Sequence, residues 1–229
     1  MKAMLLAAGR GERLRPLTDT LPKALVEVAG KPLIAWHLER LAACGCREAV
    51  VNVAHLGEKI VQRLGSGERF GLTIAYSREP EPLETAGGIA FALPLLSAAP
   101  FLLVNADVFC DIDFARLLRL PLDERLAHLV LVPNPSHRPG GDFVLQGGLV
   151  RGRVAAGVAA QRYTYAGIAV VSPALVAGVS AGMKSPLAPL LYDAADRGRL
   201  TGEVHDGLWQ DVGTPERLAE LDRFLNSQP

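Results

Sequence analysis

The chain has 229 residues, 49% of them hydrophobic, and its 24 lysines and arginines balance its 24 acidic residues. This length supports one sizeable core, and no compositional break divides it, so we predict one domain over residues 1–229. A neutral chain lacks the basic field that attracts nucleic acid or a membrane surface, so we expect neither as a partner.

Three cysteines, Cys44, Cys46 and Cys110, form neither an even disulfide framework nor a zinc-binding pattern. We predict buried or half-buried thiols in a reducing compartment. The apolar start of the chain is too short for a secretion signal, and no apolar run approaches membrane-spanning length. These features predict a cytoplasmic protein.

The first half of the chain alternates apolar runs typical of buried strands with longer helical patterns. In chain order, these segments are residues 3–6, 32–43, 49–53, 56–64, 72–76, 85–96 and 101–105. Pro32 suits a first helical turn and Gly45 a helix end, so the second segment is predicted as a helix. The alternation predicts parallel strands joined by helical crossovers.

The pattern changes after residue 107, where strands are predicted over residues 129–132, 143–145, 149–154 and 163–171. Gly147-Gly148 and irregular loops separate them, which is typical of hairpins. Helices are predicted over about 185–196 and 214–224, the last with Thr214 as its N-cap. We therefore predict an α/β, Rossmann-like fold with a mixed, mainly parallel central sheet and an antiparallel insertion.

A loop rich in small residues and arginine follows the first strand. Ala7, Ala8 and Gly9 have side chains small enough for backbone N–H groups to approach a ligand. Arg15 and Lys23 add positive charge of the kind that binds phosphate oxygens. The segment predicts a phosphate-binding loop; the alternative is a surface turn with scattered basic residues.

Neither of two common glycine-rich phosphate motifs fits this loop. A dinucleotide-binding fingerprint needs a third glycine at Leu14 and a helix that starts within the motif, whereas Pro16 and Thr18 favour a loop. A P-loop needs Gly-Lys-Ser/Thr in sequence, which is missing. The two glycines alone are a weak signal, and the basic residues around them strengthen it.

Five motifs, in order along nearly the whole chain, resemble those of the sugar-1-phosphate nucleotidyltransferases. They are the loop from Leu6 to Thr18 with Pro22-Lys23, then Gly30-Lys31-Pro32-Leu33-Ile34, Glu84-Thr85-Ala86-Gly87-Gly88, Leu102-Leu103-Val104-Asn105-Ala106-Asp107 and Trp209-Gln210-Asp211-Val212-Gly213-Thr214-Pro215. Within this family, the short length and residues 81–88 are most similar to the uridylyltransferases that act on N-acetylmuramate 1-phosphate in cell-wall recycling.

The resemblance implies a nucleotide-diphospho-sugar transferase fold, with residues 1–107 mainly binding nucleotide and residues 108–229 mainly binding the sugar phosphate through the antiparallel insertion. It implies that UTP and a sugar 1-phosphate, N-acetylmuramate 1-phosphate first among them, react to give a UDP-sugar and pyrophosphate. We expect a monomer or a weak homodimer.

Four residues are implied as catalytic. Asp107 and Asp211 would hold one Mg²⁺, a hard cation that takes a few protein oxygens and leaves room for phosphate oxygens and water. Arg15 would hold the departing pyrophosphate, and Lys23 would bridge the phosphates of the two substrates. No Ser/His/Asp or Cys/His arrangement points to a covalent nucleophile. Four histidines are interpreted as surface or packing residues: His37, His128, His137 and His205.

The nucleotide-binding candidates lie in the loop and at a predicted helix start. Residues 85–88 open a helix whose small side chains let uracil approach the backbone; close helix packing is the alternative for its glycines. Glu79 is the candidate acceptor for the uracil N3–H. The full set is Leu6, Ala7, Ala8, Gly9, Gly11, Glu12, Arg13, Lys23, Glu79, Thr85, Gly87 and Gly88.

Three residues are candidates for binding the sugar: Asn105, Asp142 and Tyr165. They lie near predicted strand ends and can hydrogen-bond hydroxyl or amide groups. Residues 158–162 lack the glutamate–lysine pair with which many hexose-type relatives hold the sugar phosphate. That phosphate is therefore left to Lys23 or Arg162.

Three alternative functions stay open. The same reaction could use mannose 1-phosphate with GTP, or glucose 1-phosphate with UTP or dTTP. A phosphocholine cytidylyltransferase would need an aromatic cage, and the chain has only 13 aromatic residues. A non-catalytic nucleotide-sensing or scaffold subunit is disfavoured, because it would need none of the four catalytic residues.

Overall fold

The computed structural model describes residues 1–152 and 160–227, and its elements alternate through the first half of the chain as predicted. That half contains β1 (Ala3–Leu6), α1 (Leu17–Thr20), β2 (Glu27–Val28), β3 (Lys31–Pro32), α2 (Leu33–Ala43), β4 (Glu48–Val53), α3 (Gly57–Leu64), β5 (Thr73–Arg78), α4 (Glu84–Ala92) and β6 (Phe101–Asn105). The second half contains β7 (Val108–Cys110), α5 (Phe114–Leu117), β8 (Ala127–Val132), β9 (Phe143–Gln146), β10 (Leu149–Arg151), β11 (Arg162–Val171), α6 (Leu187–Asp196), β12 (Leu200–Val204), β13 (Trp209–Asp211) and α7 (Pro215–Asn226).

Within the described ranges, nine strands form one mixed sheet in the order β5-β4-β1-β6-β11-β8-β12-β10-β9. The first four strands are parallel to one another. From β11 onward most pairings are antiparallel, and β12 beside β8 is the parallel exception. The predicted α/β class and mixed sheet are confirmed.

The strand order reverses direction beside β1, because the chain places β4 on one side of β1 and later returns to place β6 on the other. In such sheets, ligands bind in the crevice outside the carboxyl ends of the strands at this point. Leu6 and Asn105, the last residues of β1 and β6, are direct partners in the register. This pair marks where the site is expected.

Both faces of the sheet are covered, as the apolar composition of its central strands requires. Leu5, Val51 and Val104 belong to the hydrophobic cluster on one face. Their neighbours along the same strands, such as Met4 and Leu103, belong to the cluster on the other face. This alternation holds the strand ends rigidly, so side chains at those ends have fixed positions.

Several element boundaries differ from the prediction. The helix predicted to reach residue 96 ends at Ala92, because Pro94 lacks the N–H that another turn needs. Of the strand predicted over residues 149–154, Leu149–Arg151 is confirmed, and residues 153–154 lie outside the described residues, as do residues 158–159. Thr214 is confirmed as an N-cap, since its hydroxyl accepts the N–H of Arg217 at 3.4 Å.

The three thiols are free, with Cys46 and Cys110 buried and Cys44 half-buried. Within the described part of the chain, no helix is long and apolar enough to cross a bilayer.

His37 ties helix α2 to strand β7 from a fully buried position. Its Nε2 lies 2.5 Å from the carbonyl oxygen of Val108 and donates to it, and burial lowers the pKa of His37 to about 4 from 6.5. The contribution to stability is complete above pH 6.5 and is lost as the pH falls toward 4, because only the unfolded chain takes up the proton in that window.

We therefore expect the free energy of unfolding of the wild type to include a loss of about 3 kcal/mol between pH 6.5 and pH 4 from this histidine. Urea titrations at several pH values of the wild type and of His37→Gln measure it. The matched control is His55→Gln, which makes the same substitution at an exposed histidine. An unchanged slope in His37→Gln would contradict the assignment.

Candidate active site

A cavity of about 220 Å³ opens at the carboxyl ends of β1 and β6. Its wall consists of Leu6, Ala7, Ala8, Gly9, Lys23, Ala24, Asn52, Glu79, Pro82, Leu83, Glu84, Thr85, Asn105, Ala106 and Asp107. Much of the predicted nucleotide set is thus brought together at the point where the strand order reverses.

The loop after β1 has the shape that an anion-binding loop requires. Apart from its two chain neighbours, no described residue has an atom within 4 Å of the position that a Cβ at Gly9 would occupy, so the backbone there faces open space. Gly11 has a φ of +67°, and a Cβ on it would lie 3.1 Å from the Cβ of Lys23. The hydroxyl of Thr18 donates to the carbonyl of Gly11 at 2.8 Å. Gly9 therefore provides access, whereas Gly11 provides the turn that brings Lys23 to the cavity.

Lys23 and Asp107 form an ion pair in the wall of this cavity. The lysine side chain is 13% exposed and the carboxylate is 35% exposed. The ammonium is therefore held in place by the protein, while the carboxylate has room to contact a ligand. This pairing joins two predicted catalytic residues that are 84 positions apart in the sequence.

A series of buried hydrogen bonds connects the loop after β1 to β4 and to the end of β5. The N–H of Ala7 donates to Asn52 Oδ1 at 2.7 Å, and Asn52 Nδ2 donates to Glu79 Oε1 at 2.6 Å. The other oxygen of Glu79 accepts the N–H of Leu83 at 2.9 Å. Burial raises the pKa of Glu79 above its usual value. Asn52 was missed by the sequence analysis, because an asparagine within a strand gives no sign of what it meets across the sheet.

Asn52→Leu removes the hydrogen bonds of Asn52 to Ala7 and to Glu79, and it leaves the N–H of Ala7 without its acceptor. We expect the free energy of unfolding to fall by about 2–4 kcal/mol, because buried donors and acceptors lose their partners. Urea denaturation measures the change.

The matched control is Ser77→Ala, since Ser77 is the register partner of Asn52 on β5 and its buried hydroxyl has no partner among the described residues. That variant is expected to stay within about 0.5 kcal/mol of the wild type. Equal losses in the two variants would contradict the role given to Asn52.

The two glycines predicted to face the base have a packing role instead, and neither lines the cavity. A Cβ on Gly88 would lie 2.6 Å from Glu79 Oε1 and 2.9 Å from Asn52 Nδ2. A Cβ on Gly87 would collide with the carbonyl of Met183. Close packing, the alternative stated for these glycines, is what the structure supports, and Thr85 alone of this group reaches the cavity.

Glu84 was not predicted as a site residue, and it lies in the wall of the first cavity and of a second one described below. It has a φ of +60°, a left-handed conformation that costs energy for any residue with a side chain. A glycine at this position would be free of that strain, so the backbone of Glu84 is held in place by its surroundings.

A second cavity, of about 490 Å³, adjoins the first and shares Glu84, Thr85 and Asn105 with it. The rest of its wall is Arg138, Asp142, Phe143, Tyr165, Pro186, Leu187, Ala188, Leu191 and Tyr192. All three predicted sugar-binding residues line it, and Asn105 lines both cavities. Two ligands bound in the two cavities would meet at Asn105.

Asp142 and Tyr165 form a polar patch in this second cavity. Asp142 Oδ2 accepts the N–H of Tyr165 at 2.9 Å, and its other oxygen pairs with Arg138. The Tyr165 hydroxyl is buried, has no partner within the described ranges, and burial raises its pKa. Asp142 therefore connects Arg138 to strand β11.

Arg162, one of the two candidates for the sugar phosphate, is engaged elsewhere. Its guanidinium donates to the carbonyls of Asp142 at 2.5 Å and Gly140 at 3.1 Å. It is not part of the wall of either cavity. Arg162 therefore holds the loop before β9, and Lys23 remains to meet the phosphate.

Asp211 faces a third cavity, of about 560 Å³, beside the loop. Its two carboxylate oxygens lie 2.6 and 2.7 Å from Arg217 Nη1, and Oδ1 lies 3.1 Å from His137 Nε2. His137, interpreted from the sequence as a surface or packing residue, thus contacts a predicted catalytic carboxylate. The contacts of His137 could not be predicted, because they depend on the path of the loop that contains it.

Asp107 and Asp211 are adjacent in space although they open to different cavities. Strands β7 and β13 form an antiparallel pair in which Asp211 lies opposite Val108, and the N–H of Val212 donates to the carbonyl of Asp107 at 2.8 Å. The carboxylate of Asp107 pairs with Lys23, and that of Asp211 pairs with Arg217 and also contacts His137. The two short segments that carry the predicted pair of acids are therefore adjacent.

Arg13 and Arg15 have different surroundings in the structure. Arg15 pairs with Asp19 at 3.2 Å, is 60% exposed and lines none of the three cavities. Arg13 lines the third cavity, and its guanidinium converges with that of Arg217 on Gly213. Among the described residues Arg13 has no acidic partner. Glu12, beside it, is exposed and lines none of these cavities.

Comparison with known proteins is consistent with this arrangement. A family model described as "Nucleotidyl transferase" matches residues 2–141, more than half of the chain. The chain belongs to the nucleotidyl transferase family. The range that matches this nucleotidyl transferase model contains the whole wall of the first cavity and four of the twelve residues in the wall of the second.

Two bacterial relatives of this nucleotidyl transferase match along nearly their whole length. An N-acetylmuramate alpha-1-phosphate uridylyltransferase from Neisseria meningitidis is 52% identical over 99% of both chains. One of the same name from Caulobacter vibrioides is 36% identical over 95% of this chain and 97% of its own. A mannose-1-phosphate guanylyltransferase catalytic subunit beta from Danio rerio is 32% identical over 99% of this chain, which spans 65% of that relative.

The fold is shared with a solved structure of low sequence identity. A Bacillus anthracis protein assigned as a glucose-1-phosphate thymidylyltransferase, solved with sucrose, superposes with a TM-score of 0.87 at 19% identity, covering 100% of this chain and 96% of its own. This likeness confirms the predicted nucleotide-diphospho-sugar transferase fold.

Proposed function

We propose that this nucleotidyl transferase transfers the uridylyl group of UTP to N-acetylmuramate 1-phosphate, giving a UDP-sugar and pyrophosphate for cell-wall recycling. The observation that supports it best is the pair of adjoining cavities that share Glu84, Thr85 and Asn105. The relatives that match along nearly their full length have names that specify this reaction.

The reaction we propose is a direct displacement. UTP lies in the first cavity with its phosphates against the backbone of residues 7–9, and the sugar 1-phosphate lies in the second. An oxygen of the sugar phosphate attacks the α-phosphorus, and the bond from that phosphorus to the β-phosphate oxygen breaks. Positioning and charge provide the catalysis, so no covalent nucleophile is needed.

Lys23 is assigned to the reacting phosphates. Its ammonium lies in the wall of the first cavity, paired with Asp107, and it can turn from Asp107 to phosphate oxygens when they bind. A fixed positive charge is worth most where charge develops in the transition state and water is excluded.

The departing pyrophosphate is assigned to Arg13 in place of Arg15. Arg13 follows the glycine loop directly, faces the third cavity and has free guanidinium donors among the described residues. A guanidinium without an acidic partner is suited to phosphate oxygens, whereas that of Arg15 is occupied by Asp19.

Asp107 and Asp211 are proposed to hold Mg²⁺. Both are carboxylates, both are partly exposed, and each already pairs with a basic side chain, so the donor chemistry fits a hard cation. When bound, the metal supplies positive charge that neutralises phosphate oxygens. Asp211 would have to give up part of its contact with Arg217.

The base is placed at the end of the first cavity formed by Glu79 and Thr85. Glu79 is proposed to accept the uracil N3–H, because each of its oxygens accepts a single hydrogen bond and has a further lone pair. Thr85 supplies backbone and hydroxyl donors for the carbonyls of the base.

The alternative is a hexose 1-phosphate nucleotidyltransferase, such as one joining mannose 1-phosphate to GTP. The similarity to mannose-1-phosphate guanylyltransferase subunits over 99% of this chain favours it. We further propose that the chain acts in the cytoplasm as a monomer or a weak homodimer, with no nucleic acid or membrane partner.

The test is pyrophosphate release with Mg²⁺ across a matrix of UTP, GTP, CTP and dTTP against the 1-phosphates of N-acetylmuramate, N-acetylglucosamine, glucose and mannose. We expect one dominant signal, from UTP with N-acetylmuramate 1-phosphate. A dominant signal from another pair of substrates would favour the hexose 1-phosphate alternative. No pyrophosphate release from any pair would refute transferase activity.

A further inference from the structure

The second cavity has one arginine at its rim whose role the reaction leaves open. Arg138 lies in the loop between β8 and β9, and its side chain is 57% exposed. Its Nη2 donates to Asp142 Oδ1 at 2.5 Å. Within residues 1–152 and 160–227, Nη1 and Nε of Arg138 have no hydrogen-bond partner. Part of a planar, five-donor group is therefore free to bind a ligand.

Among the charged side chains in the wall of the second cavity, Arg138 is the one suited to bind an anion. Glu84 and Asp142 are the acidic residues of the wall, and Arg138 is the only basic one among the described residues. The buried carboxylate of Asp142 keeps a second donor, the N–H of Tyr165, when Arg138 turns toward a ligand. Arg138 can thus be shared with a ligand without leaving Asp142 unpartnered.

The proposed sugar substrate has two anionic groups, the 1-phosphate and the carboxylate of its lactyl ether. The phosphate must lie near Asn105 and Lys23, since it has to reach the nucleotide in the first cavity. The lactyl carboxylate is the remaining anion. Apolar side chains such as Leu187 and Leu191 complete the wall, and they suit the methyl groups of the lactyl and N-acetyl substituents.

We propose that Arg138 binds the lactyl carboxylate and thereby selects N-acetylmuramate 1-phosphate over N-acetylglucosamine 1-phosphate, which lacks that group. An arginine fork matches a carboxylate in geometry as well as charge, and its loss leaves the carboxylate desolvated without a partner. This inference rests on the proposed function, because it concerns the sugar subsite of that reaction.

The test compares kcat/KM for the two sugar phosphates, each with UTP, in the wild type, Arg138→Gln and Arg138→Lys. In Arg138→Gln we expect about a 10–100-fold loss with N-acetylmuramate 1-phosphate and less than about a threefold change with N-acetylglucosamine 1-phosphate. Arg138→Lys should recover part of the loss. The lactyl amide of the substrate, which has no charge, should be insensitive to Arg138→Gln.

The matched control is Arg197→Gln. Arg197, which follows the last residue of α6, pairs with Asp193 at the same four-residue spacing as Arg138 with Asp142, and both side chains of the Arg197 pair are exposed. This variant should leave both kcat/KM values unchanged.

The outcomes separate this inference from the function on which it rests. Equal losses with both sugar phosphates would assign Arg138 to the phosphate or to the loop, and would overturn the inference. A wild type that prefers N-acetylmuramate 1-phosphate, with the preference retained in Arg138→Gln, would overturn the inference alone. A wild type inactive with N-acetylmuramate 1-phosphate would overturn the proposed function and this inference together.

Discussion

Lys23→Met is expected to lower kcat by about 10²–10³-fold, the largest loss for any single change outside the acidic pair. Methionine matches the lysine side chain as far as Cε, so the packing of its Cβ against Gly11 is retained while the charge is removed. The partner carboxylate, Asp107, is one-third exposed and stays solvated in the variant, so the fold should persist. Steady-state pyrophosphate release measures the effect.

The control for Lys23→Met is Lys59→Met, which removes an exposed lysine that donates to the carbonyl of Thr20. Its kcat should equal that of the wild type. If Lys23→Met retained more than about a tenth of the wild-type kcat, charge at this position would not stabilise the transition state, and the assignment of Lys23 would be wrong.

Arg13→Gln is expected to lower kcat by about 10²-fold, whereas Arg15→Gln should change it less than about threefold. The two residues are two positions apart, both are exposed, and neither supports the core, so they form a matched pair. Only Arg13 lines the cavity beside Asp211. Pyrophosphate release and the product inhibition constant for pyrophosphate measure the difference.

The product inhibition constant for pyrophosphate shows which of the two arginines binds that product. Loss of Arg13 should weaken inhibition by pyrophosphate, because the residue is proposed to bind that product. If Arg15→Gln gave the larger loss and the weaker inhibition, the original prediction from the sequence would stand, and the arrangement around Gly213 would not describe the reacting enzyme.

The parts of the fold that could be predicted are those with a local signal. Strand β1 and the loop after it were predicted because apolar periodicity, tiny residues and arginines are all contiguous in the sequence. The N-cap at Thr214 was predicted for the same reason. Asn105 and Asp107 follow a buried strand, so a position at the carboxyl edge of the sheet could be expected for both.

The parts that could not be predicted depend on long-range pairing. Strands β7 and β13 have three residues each and lie about a hundred positions apart, so neither has a periodicity that reveals the other. The same holds for Asn52, whose bonds to Ala7 and Glu79 join three neighbouring strands or their ends.

Choosing between chemically equivalent residues also needs coordinates. Arg13 and Arg15 are indistinguishable by residue type. The path of the loop places Arg13 in the same cavity wall as Asp211 and Arg15 beside Asp19. Arg162 looked available for a phosphate until its carbonyl partners were known. Positive charge in a sequence predicts an anion site, but the hydrogen bonds of each side chain decide which residue serves it.

The central claim is that a sugar phosphate in the second cavity attacks UTP in the first directly. Exchange of labelled pyrophosphate into UTP, measured with Mg²⁺ and with or without N-acetylmuramate 1-phosphate, tests it. The account predicts exchange only when the sugar phosphate is present, since its oxygen is the sole acceptor of the uridylyl group. Exchange with UTP and pyrophosphate alone would show a covalent uridylyl-enzyme and would contradict the account, as would the absence of exchange under both conditions.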